Sequence, residues 1–416
     1  MKKQKYHCFI LIVFLVFCLS LTFSICSVGA TNTSGAAAIT GNYRNLFAEI
    51  GKGDAEIAEK INAAWNQFFY GDKDRERIYY EVGDDMAYIK DIGNGDIRSE
   101  GMSYGMMICV QLDKKKEFDK IWKWAKTYMY YTSGQYKGYF AWQCKDNGSK
   151  IGGSPTPASD GEEYFATALI FAAKRWGNGS GIYDYTTEAQ NLLHEMLHHG
   201  DNGVYENMFN LTHNQVVFCP TFGTSSQFTD PSYHLPAFYE VWARFAKSSA
   251  DREKWLTIAD TSRKFFVKTS NPETGLSPDY ANWDGSPRVQ EGEHQYFCYD
   301  AWRVIANAAV DYAWWKKDDF EPVFADRIQA FFNKEGITSY GNLWKLDGNI
   351  KGGDHSTGLV AMNAVASLAA TNKEVRDKFV NELWKVGIPS GTWRYYDGTL
   401  YLMALLNCSG NFKAYF

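Results

Sequence analysis

The sequence predicts an all-α protein with the fold of an (α/α)6 barrel, in which six inner helices are surrounded by six outer ones. Twelve segments with a 3.6-residue hydrophobic period follow one another, with few strand signals between them. These segments alternate in character, because one kind has a single apolar stripe and the next is apolar nearly all round, as buried helices are. Such alternation predicts two concentric rings. No fixed-period repeat supports the alternative, a superhelical array of helix pairs.

Two segments illustrate the two kinds of helix. Segment 117–129 carries many charges and places its apolar residues three or four positions apart, which predicts an outer helix with one buried face. Segment 165–173 has almost no polar residue and predicts an inner helix. The twelve predicted helices begin near Asp54, Ser99, Lys116, Asp160, Thr187, Ser232, Asp251, Asp300, Phe320, Ser356, Asn372 and Tyr396.

The N-terminal 30 residues predict a secretory signal peptide. Three lysines among the first five residues precede an apolar run that ends near residue 21, and Ala30 closes a small-residue cleavage site. Residues 31–40 are rich in Ser, Thr, Ala and Gly and predict a flexible leader. No Pro-rich linker divides residues 41–416, which we expect to form one catalytic domain. The mature protein is therefore expected to be secreted, with no membrane contact.

Composition argues against several functional classes. The formal net charge of −5 favours neither nucleic acid nor an anionic membrane as a partner. Five scattered cysteines follow the signal peptide, an odd set that predicts neither a disulfide framework nor a structural zinc site. Phosphate-binding loops are absent. We expect a monomer that uses no metal or cofactor. The 14 Trp and 27 Tyr exceed what a core requires, and some could stack on sugar faces.

Carboxylates stand at the starts of three predicted inner helices, at Glu100, Asp160 and Asp300. In a closed ring of parallel inner helices these starts share one end of the barrel, so the three side chains would meet. A carboxylate at a helix start is ordinarily a cap. However, Ser99 and Ser159 are more natural caps, and Asp300 has apolar neighbours that penalise its charged form. A chemical role is therefore favoured. Two carboxylates in different environments can hydrolyse a glycosidic bond, one as acid and the other as base or nucleophile.

Four segments resemble the signature segments of glycoside hydrolase family 8, in the same order along the chain. The resemblance implies an (α/α)6 barrel and an inverting mechanism. It points to the xylan-directed branch, especially to exo-acting oligoxylanases that release xylose from the reducing end. Residues 138–143 fit the family as well. The four segments are Ser-Glu100-Gly-Met-Ser-Tyr-Gly-Met, Ala-Ser-Asp160-Gly-Glu-Glu-Tyr, Pro-Ser-Tyr233 and Tyr-Asp300-Ala-Trp-Arg303.

The resemblance implies a role for each matching residue. Glu100 matches the general acid that protonates the glycosidic oxygen, and Asp300 matches the general base that activates water. Tyr233 matches the tyrosine that helps to hold this water, and Asp160 matches the carboxylate that binds the distorted sugar. Arg303, one helical turn beyond Asp300, would orient it or balance its charge.

Three further residues match sugar-binding positions of the family. Trp142 matches a stacking aromatic residue, Tyr396 or its neighbour Tyr395 matches a subsite tyrosine, and His355 would lie near the leaving-group sugar. The exo-acting relatives close the cleft beyond the leaving xylose with a Leu-His-Pro kink. Here the corresponding stretch, 351–358, reads Lys-Gly-Gly-Asp-His-Ser-Thr-Gly. Endo-1,4-β-xylanase activity therefore stays open, as do β-1,4-glucanase and chitosanase activities.

A competing signal is the zinc-peptidase pattern H-E-x-x-H, which occurs literally at His194-Glu195-Met-Leu-His198. It makes a zinc metallopeptidase the distant alternative. The predicted helix ends at His199, where histidines commonly interact with the last carbonyls. No downstream residue completes a third zinc ligand, so the pattern favours a structural role.

Overall fold

Twelve helices of nine residues or more dominate this computed structural model, which describes residues 36–290 and 292–416. The predicted number of helices is confirmed for this part of the chain. Two four-residue helices, α1 (Ala37–Thr40) and α2 (Leu46–Glu49), precede them. The twelve are α3 (Asp54–Tyr70), α4 (Ser99–Gln111), α5 (Lys115–Trp124), α6 (Ser159–Trp176), α7 (Tyr185–His198), α8 (Pro236–Phe245), α9 (Ser249–Thr269), α10 (Arg303–Trp315), α11 (Phe320–Glu335), α12 (Thr357–Val365), α13 (Lys373–Lys385) and α14 (Arg394–Cys408).

The inner helices form a closed ring. Each contacts the next in the order α4, α6, α8, α10, α12 and α14, and α14 contacts α4. Each outer helix lies against an inner one: α5 against α4, α7 against α6, α9 against α8, α11 against α10, α13 against α12 and α3 against α14. The predicted (α/α)6 barrel is confirmed. A superhelical array would leave its first and last inner helices apart, so that alternative is wrong.

Burial explains the alternation of the two kinds of helix. Every residue of α4 is buried except Glu100, because outer helices and neighbouring inner helices surround it. The outer helix α5 instead buries one face, with Phe118, Ile121 and Trp122 inside and Lys115 and Lys116 exposed. Burying an aliphatic or aromatic side chain contributes about 1.5–3 kcal/mol, so the apolar inner helices are stable only inside the barrel.

Strands occur only in the connections between helices of the described chain, as four antiparallel pairs. The predicted long loop, 271–292, contains no helix or strand in its described residues. The pairs are β1 (Tyr79–Val82) with β2 (Met86–Ile89), β3 (Ile97–Arg98) with β4 (Gln143–Cys144), β5 (Phe209–Asn210) with β6 (Gln215–Val216), and β7 (Leu343–Trp344) with β8 (Ile350–Gly352).

The N-terminal prediction is only partly visible. The predicted signal peptide and residues 31–35 of the predicted leader lie outside the described residues. Residues 37–40 of the predicted leader form α1, which packs against α10 and buries Ala37. Within the described chain, no helix combines the length and apolar character needed to cross a bilayer. The five described cysteines are buried and unpaired.

Candidate active site

A cavity of about 1000 Å³ opens at the end of the barrel where the inner helices begin. Arg303 is only 4% exposed and does not line this cavity, but it contacts three carboxylates that do. The structure therefore brings all eight predicted site residues together. The seven that line the cavity are Glu100, Trp142, Asp160, Tyr233, Asp300, His355 and Tyr396.

The buried guanidinium of Arg303 connects residues from four segments. Its Nη1 donates to Glu100 Oε2 at 3.0 Å and to Asp160 Oδ2 at 3.1 Å. Its Nη2 lies 3.2 Å from Asp300 Oδ2 and donates to Ser232 Oγ at 2.9 Å. One positive charge thus faces three carboxyl groups, and this imbalance favours a protonated form of at least one of them.

Glu100 and Asp300 are held by the two terminal nitrogens of this one guanidinium. Nη1 contacts Glu100 Oε2 at 3.0 Å, and Nη2 contacts Asp300 Oδ2 at 3.2 Å. Inverting glycosidases need about 6.5–9.5 Å between their carboxyl groups to leave room for one water. We expect that spacing between Glu100 and Asp300.

The environment of Glu100 favours its protonated form. Burial raises the pKa of Glu100 to about 8, and Asp160 and Asp300 add to this effect. The Arg303 guanidinium and a hydrogen bond from Tyr395 Oη to Oε1, 2.8 Å long, oppose it without cancelling it. A glutamic acid with this pKa still carries its proton at neutral pH, as a general acid must.

Asp300 lies on the single turn of 3-10 helix, Tyr299–Trp302, that precedes α10. Its side chain is 27% exposed, and Oδ1 accepts a hydrogen bond from Tyr396 Oη at 3.1 Å. Tyr299 has a φ of 40°, a left-handed conformation that is unfavourable for a residue with a side chain and often occurs at functional sites. Behind the turn, the Asp279 carboxylate accepts a hydrogen bond from the Ala301 amide at 3.1 Å. These contacts hold the Asp300 carboxylate towards the cavity.

Asp160 and Tyr233 lie beside the two central carboxylates. Burial raises the pKa of Asp160, whereas Arg303 and the amide of Gly161, 2.8 Å from Oδ1, lower it. Tyr233 ends a turn of 3-10 helix and stacks on Phe218, with 5.7 Å between ring centroids. The Tyr233 ring is thereby fixed next to the Arg303 guanidinium, which lies 5.7 Å from its centroid.

Two predicted sugar-binding side chains are held by well-defined partners. Trp142 lies under the guanidinium of Arg98, which is 5.5 Å from the ring centroid. His355 Nδ1 lies 2.9 Å from the Tyr340 carbonyl oxygen, which can only accept, so Nδ1 donates and Nε2 is the acceptor. Nε2 has no partner within the described structure. This nitrogen is buried, although His355 as a residue lines the cavity.

Several functional contacts were missed by the sequence reasoning. Tyr395 was only an alternative to Tyr396, yet each tyrosine donates to a different carboxylate, Tyr395 to Glu100 and Tyr396 to Asp300. Asp230 and Asp279 were not singled out, although each places a carboxylate oxygen within 4.8 Å of the other and of one from Asp300. In the sequence, the one feature that could have indicated Asp230 as a site residue is its position directly before the Pro-Ser-Tyr233 segment.

The expected serine caps are wrong. Ser99 and Ser159 are the first residues of α4 and α6 and make no capping hydrogen bond. Ser159 Oγ instead donates to the Val217 carbonyl at 2.6 Å, and the Ser99 amide donates to the Trp142 carbonyl. The Val217 carbonyl therefore competes with capping by Ser159, whereas the Ser99 hydroxyl has no partner among the described residues.

The H-E-x-x-H pattern has a structural role. It lies on the outer helix α7, and His198 uses both ring nitrogens, towards Asp201 at 2.9 Å and Asp251 at 3.0 Å. Glu195 contacts His199 Nδ1 at 2.8 Å. Among the described residues, the groups close enough to share a metal ion include neither His194 nor His198. The zinc-metallopeptidase alternative does not fit this geometry.

Comparison with known proteins identifies the family. The sequence profile of glycosyl hydrolases family 8 matches residues 85–410, which is most of the chain. The protein belongs to glycosyl hydrolase family 8. This family 8 enzyme is 45% identical over 389 residues to the reducing-end xylose-releasing exo-oligoxylanase Rex8A of Paenibacillus barcinonensis, covering 92% of this chain and 100% of Rex8A. The predicted family and glycosidase class are confirmed.

Two further relatives show the range of the family. Endoglucanase C of Ruminiclostridium cellulolyticum is 30% identical over 320 residues, which cover 77% of this chain and 65% of that protein. The structure of a GH8 xylobiose complex from Teredinibacter turnerae superposes on this family 8 enzyme with a TM-score of 0.86. The two sequences are 48% identical, and the match covers 91% of this chain and 99% of the Teredinibacter turnerae chain.

Proposed function

We propose that this enzyme hydrolyses β-1,4-xylosidic bonds with inversion and releases xylose from the reducing end of xylo-oligosaccharides. The observation that carries the proposal is the placement of Glu100 and Asp300 on one buried arginine, with a raised pKa for Glu100. The substrate class is supported by 45%, 43% and 36% identity to three reducing-end xylose-releasing exo-oligoxylanases.

In the proposed reaction, Glu100 donates its proton to the glycosidic oxygen as the bond between that oxygen and C1 breaks. A water oxygen attacks C1 from the opposite face and passes its proton to Asp300. Tyr233 holds the water, and Asp160 binds the sugar that is attacked at C1. Arg303 fixes the positions of the carboxyl groups. The step leaves Glu100 ionised and Asp300 protonated, and both exchange protons with solvent before the next turnover. It requires no metal or cofactor.

The remaining predicted residues bind sugars in this proposal. Trp142 offers a ring fixed by Arg98 for stacking on an apolar sugar face. His355 lines the cavity and lies near the leaving sugar. Tyr396 contacts substrate from the cavity wall and orients Asp300 through its hydroxyl.

An endo-1,4-β-xylanase is the second candidate function. Stretch 351–358 lacks the Leu-His-Pro kink expected of a closed cleft, since Asp354 and Ser356 flank His355. A xylanase from Teredinibacter turnerae, whose catalytic mutant is described in complex with xylohexaose, is 47% identical to this chain. An open groove would bind several sugars on both sides of the scissile bond.

A product time course on xylohexaose labelled at its reducing end tests both functions. We expect labelled xylose and xylopentaose as the first products, and NMR should detect the α-anomer of the new reducing end first, because inversion at a β-bond forms it. Early xylobiose, xylotriose and xylotetraose would identify an endo-xylanase instead. Initial β-anomer would contradict inversion, and a lack of cleavage would redirect the test to glucan and chitosan.

We also infer that the enzyme is exported and acts as a monomer. The basic N-terminus and the apolar run before Ala30 support export, and a site built from one barrel supports a monomer. N-terminal sequencing of protein from the culture medium should begin at Thr31, and light scattering should give the mass of one chain. Intact Met1 in a cell-retained protein, or a dimer mass, would contradict these inferences.

A further inference from the structure

Trp393 is the most exposed large aromatic side chain of the described structure, although it lines the active-site cavity. Its exposed fraction is 69%. The residue directly precedes α14, which carries Tyr395 and Tyr396 on the two central carboxylates. An apolar surface of this size in a cavity is unfavourable in water unless a ligand covers it.

The Trp393 indole packs closely against Gly93. A Cβ atom added at Gly93 would lie 2.6 Å from Trp393 Cζ3 and 2.7 Å from Cε3, so only glycine allows this close approach. The turn beneath the ring is held by Asp91, which accepts hydrogen bonds from the Asn94 amide at 3.1 Å and from its Nδ2 at 2.8 Å. The ring is thus supported at Gly93, while most of its surface stays open.

The order of the inner helices places Trp393 in one half of the cleft. Glu100 is on α4 and Asp300 precedes α10, which is opposite α4 in the ring of six. Between them, α6 and the turn before α8 carry Asp160 and Tyr233 on one side, whereas α12 and α14 with Trp393 lie on the other. Because the acid and the base face the scissile bond from opposite sides of the ring, a substrate that passes between them would place its two sugars in opposite halves. Since Asp160 and Tyr233 are proposed to serve the sugar that is attacked at C1, Trp393 lies in the leaving-group half.

We propose that Trp393 is the stacking platform for the leaving-group sugar. The inference rests on the proposed xylosidase function and adds a binding residue that the family resemblance did not indicate. A xylosyl ring has a flat face of C–H groups and no hydroxymethyl group, so it can cover the open face of the indole. Because Gly93 fixes the ring before substrate arrives, stacking requires little reordering.

The test compares two substrates that differ only in the leaving group. For Trp393→Ala we expect kcat/KM on xylotetraose to fall about tenfold, because a stacked ring is lost. Hydrolysis of β-xylobiosyl fluoride should stay unchanged, because fluoride leaves without a sugar in that half of the cleft. Trp393→Phe should recover most of the loss. Gly93→Ala should lower the xylotetraose rate in the same direction, because its Cβ displaces the indole.

Phe222 provides a matched control, because it is 58% exposed and lies outside the cavity lining. Phe222→Ala should leave both rates unchanged, and thermal melting should show that all variants are folded. If Trp393→Ala lowers the rate equally on both substrates, or on neither, the proposal that Trp393 is a stacking platform is wrong. If the wild-type enzyme cleaves neither substrate, the proposed function itself fails, and the platform fails with it.

Discussion

Replacement of Asp300 by asparagine is expected to lower kcat on xylohexaose by about 10²–10⁴-fold, the usual contribution of a general base. Asparagine has the same shape and can still accept the hydrogen bond from Tyr396, so the turn before α10 should keep its conformation. It lacks the basic oxygen that takes the proton from water. Steady-state kinetics should therefore show a large decrease in kcat with little change in KM.

Asp284 is a suitable control for the Asp300 variant, because it lies exposed in the 271–292 loop. Asp284→Asn should keep full activity. If Asp300→Asn retains more than a tenth of the wild-type kcat, another group activates the water. Asp160 would then be the first candidate, since it is the third carboxylate on Arg303.

The barrel could be predicted because inner and outer helices differ in composition. Segment 104–110 is apolar on all sides, and only a helix surrounded by others satisfies such a sequence. Because all inner helices run in the same direction, the predicted position of carboxylates at helix starts also implied that Glu100, Asp160 and Asp300 meet. The structure confirms that they do, through Arg303.

What the sequence did not predict depends on contacts between distant loops. Asp279 lies in a loop without periodicity, and only the folded chain brings it to the Ala301 amide. Ser159 looks like a cap locally, but the Val217 carbonyl, 58 residues away, takes its hydroxyl. The short helix at residues 37–40 arises in the same way, from packing of Ala37 beside α10. A local pattern contains no information on such partners.

Replacement of Glu100 by glutamine should have an effect as large as that of Asp300→Asn, but one that depends on the leaving group. Glutamine has no acidic proton, so kcat/KM on xylohexaose should fall by about 10²–10⁴-fold. Hydrolysis of β-xylobiosyl fluoride should be largely kept, because fluoride leaves without protonation. Loss on both substrates would show that Glu100 has a role other than proton donation. Retained cleavage of xylohexaose would refute its role as the acid.

The pH profile gives a second measure of Glu100. The protonated form is the active one, so kcat/KM on xylohexaose should be high below about pH 8 and fall as the pH rises through the raised pKa of Glu100. The hydrogen bond from Tyr395 lowers this pKa, so Tyr395→Phe should shift the basic limb to higher pH. Hydrolysis of β-xylobiosyl fluoride needs no acid, so its kcat/KM should not fall in this pH range. A basic limb that is identical on both substrates would assign it to a group other than Glu100.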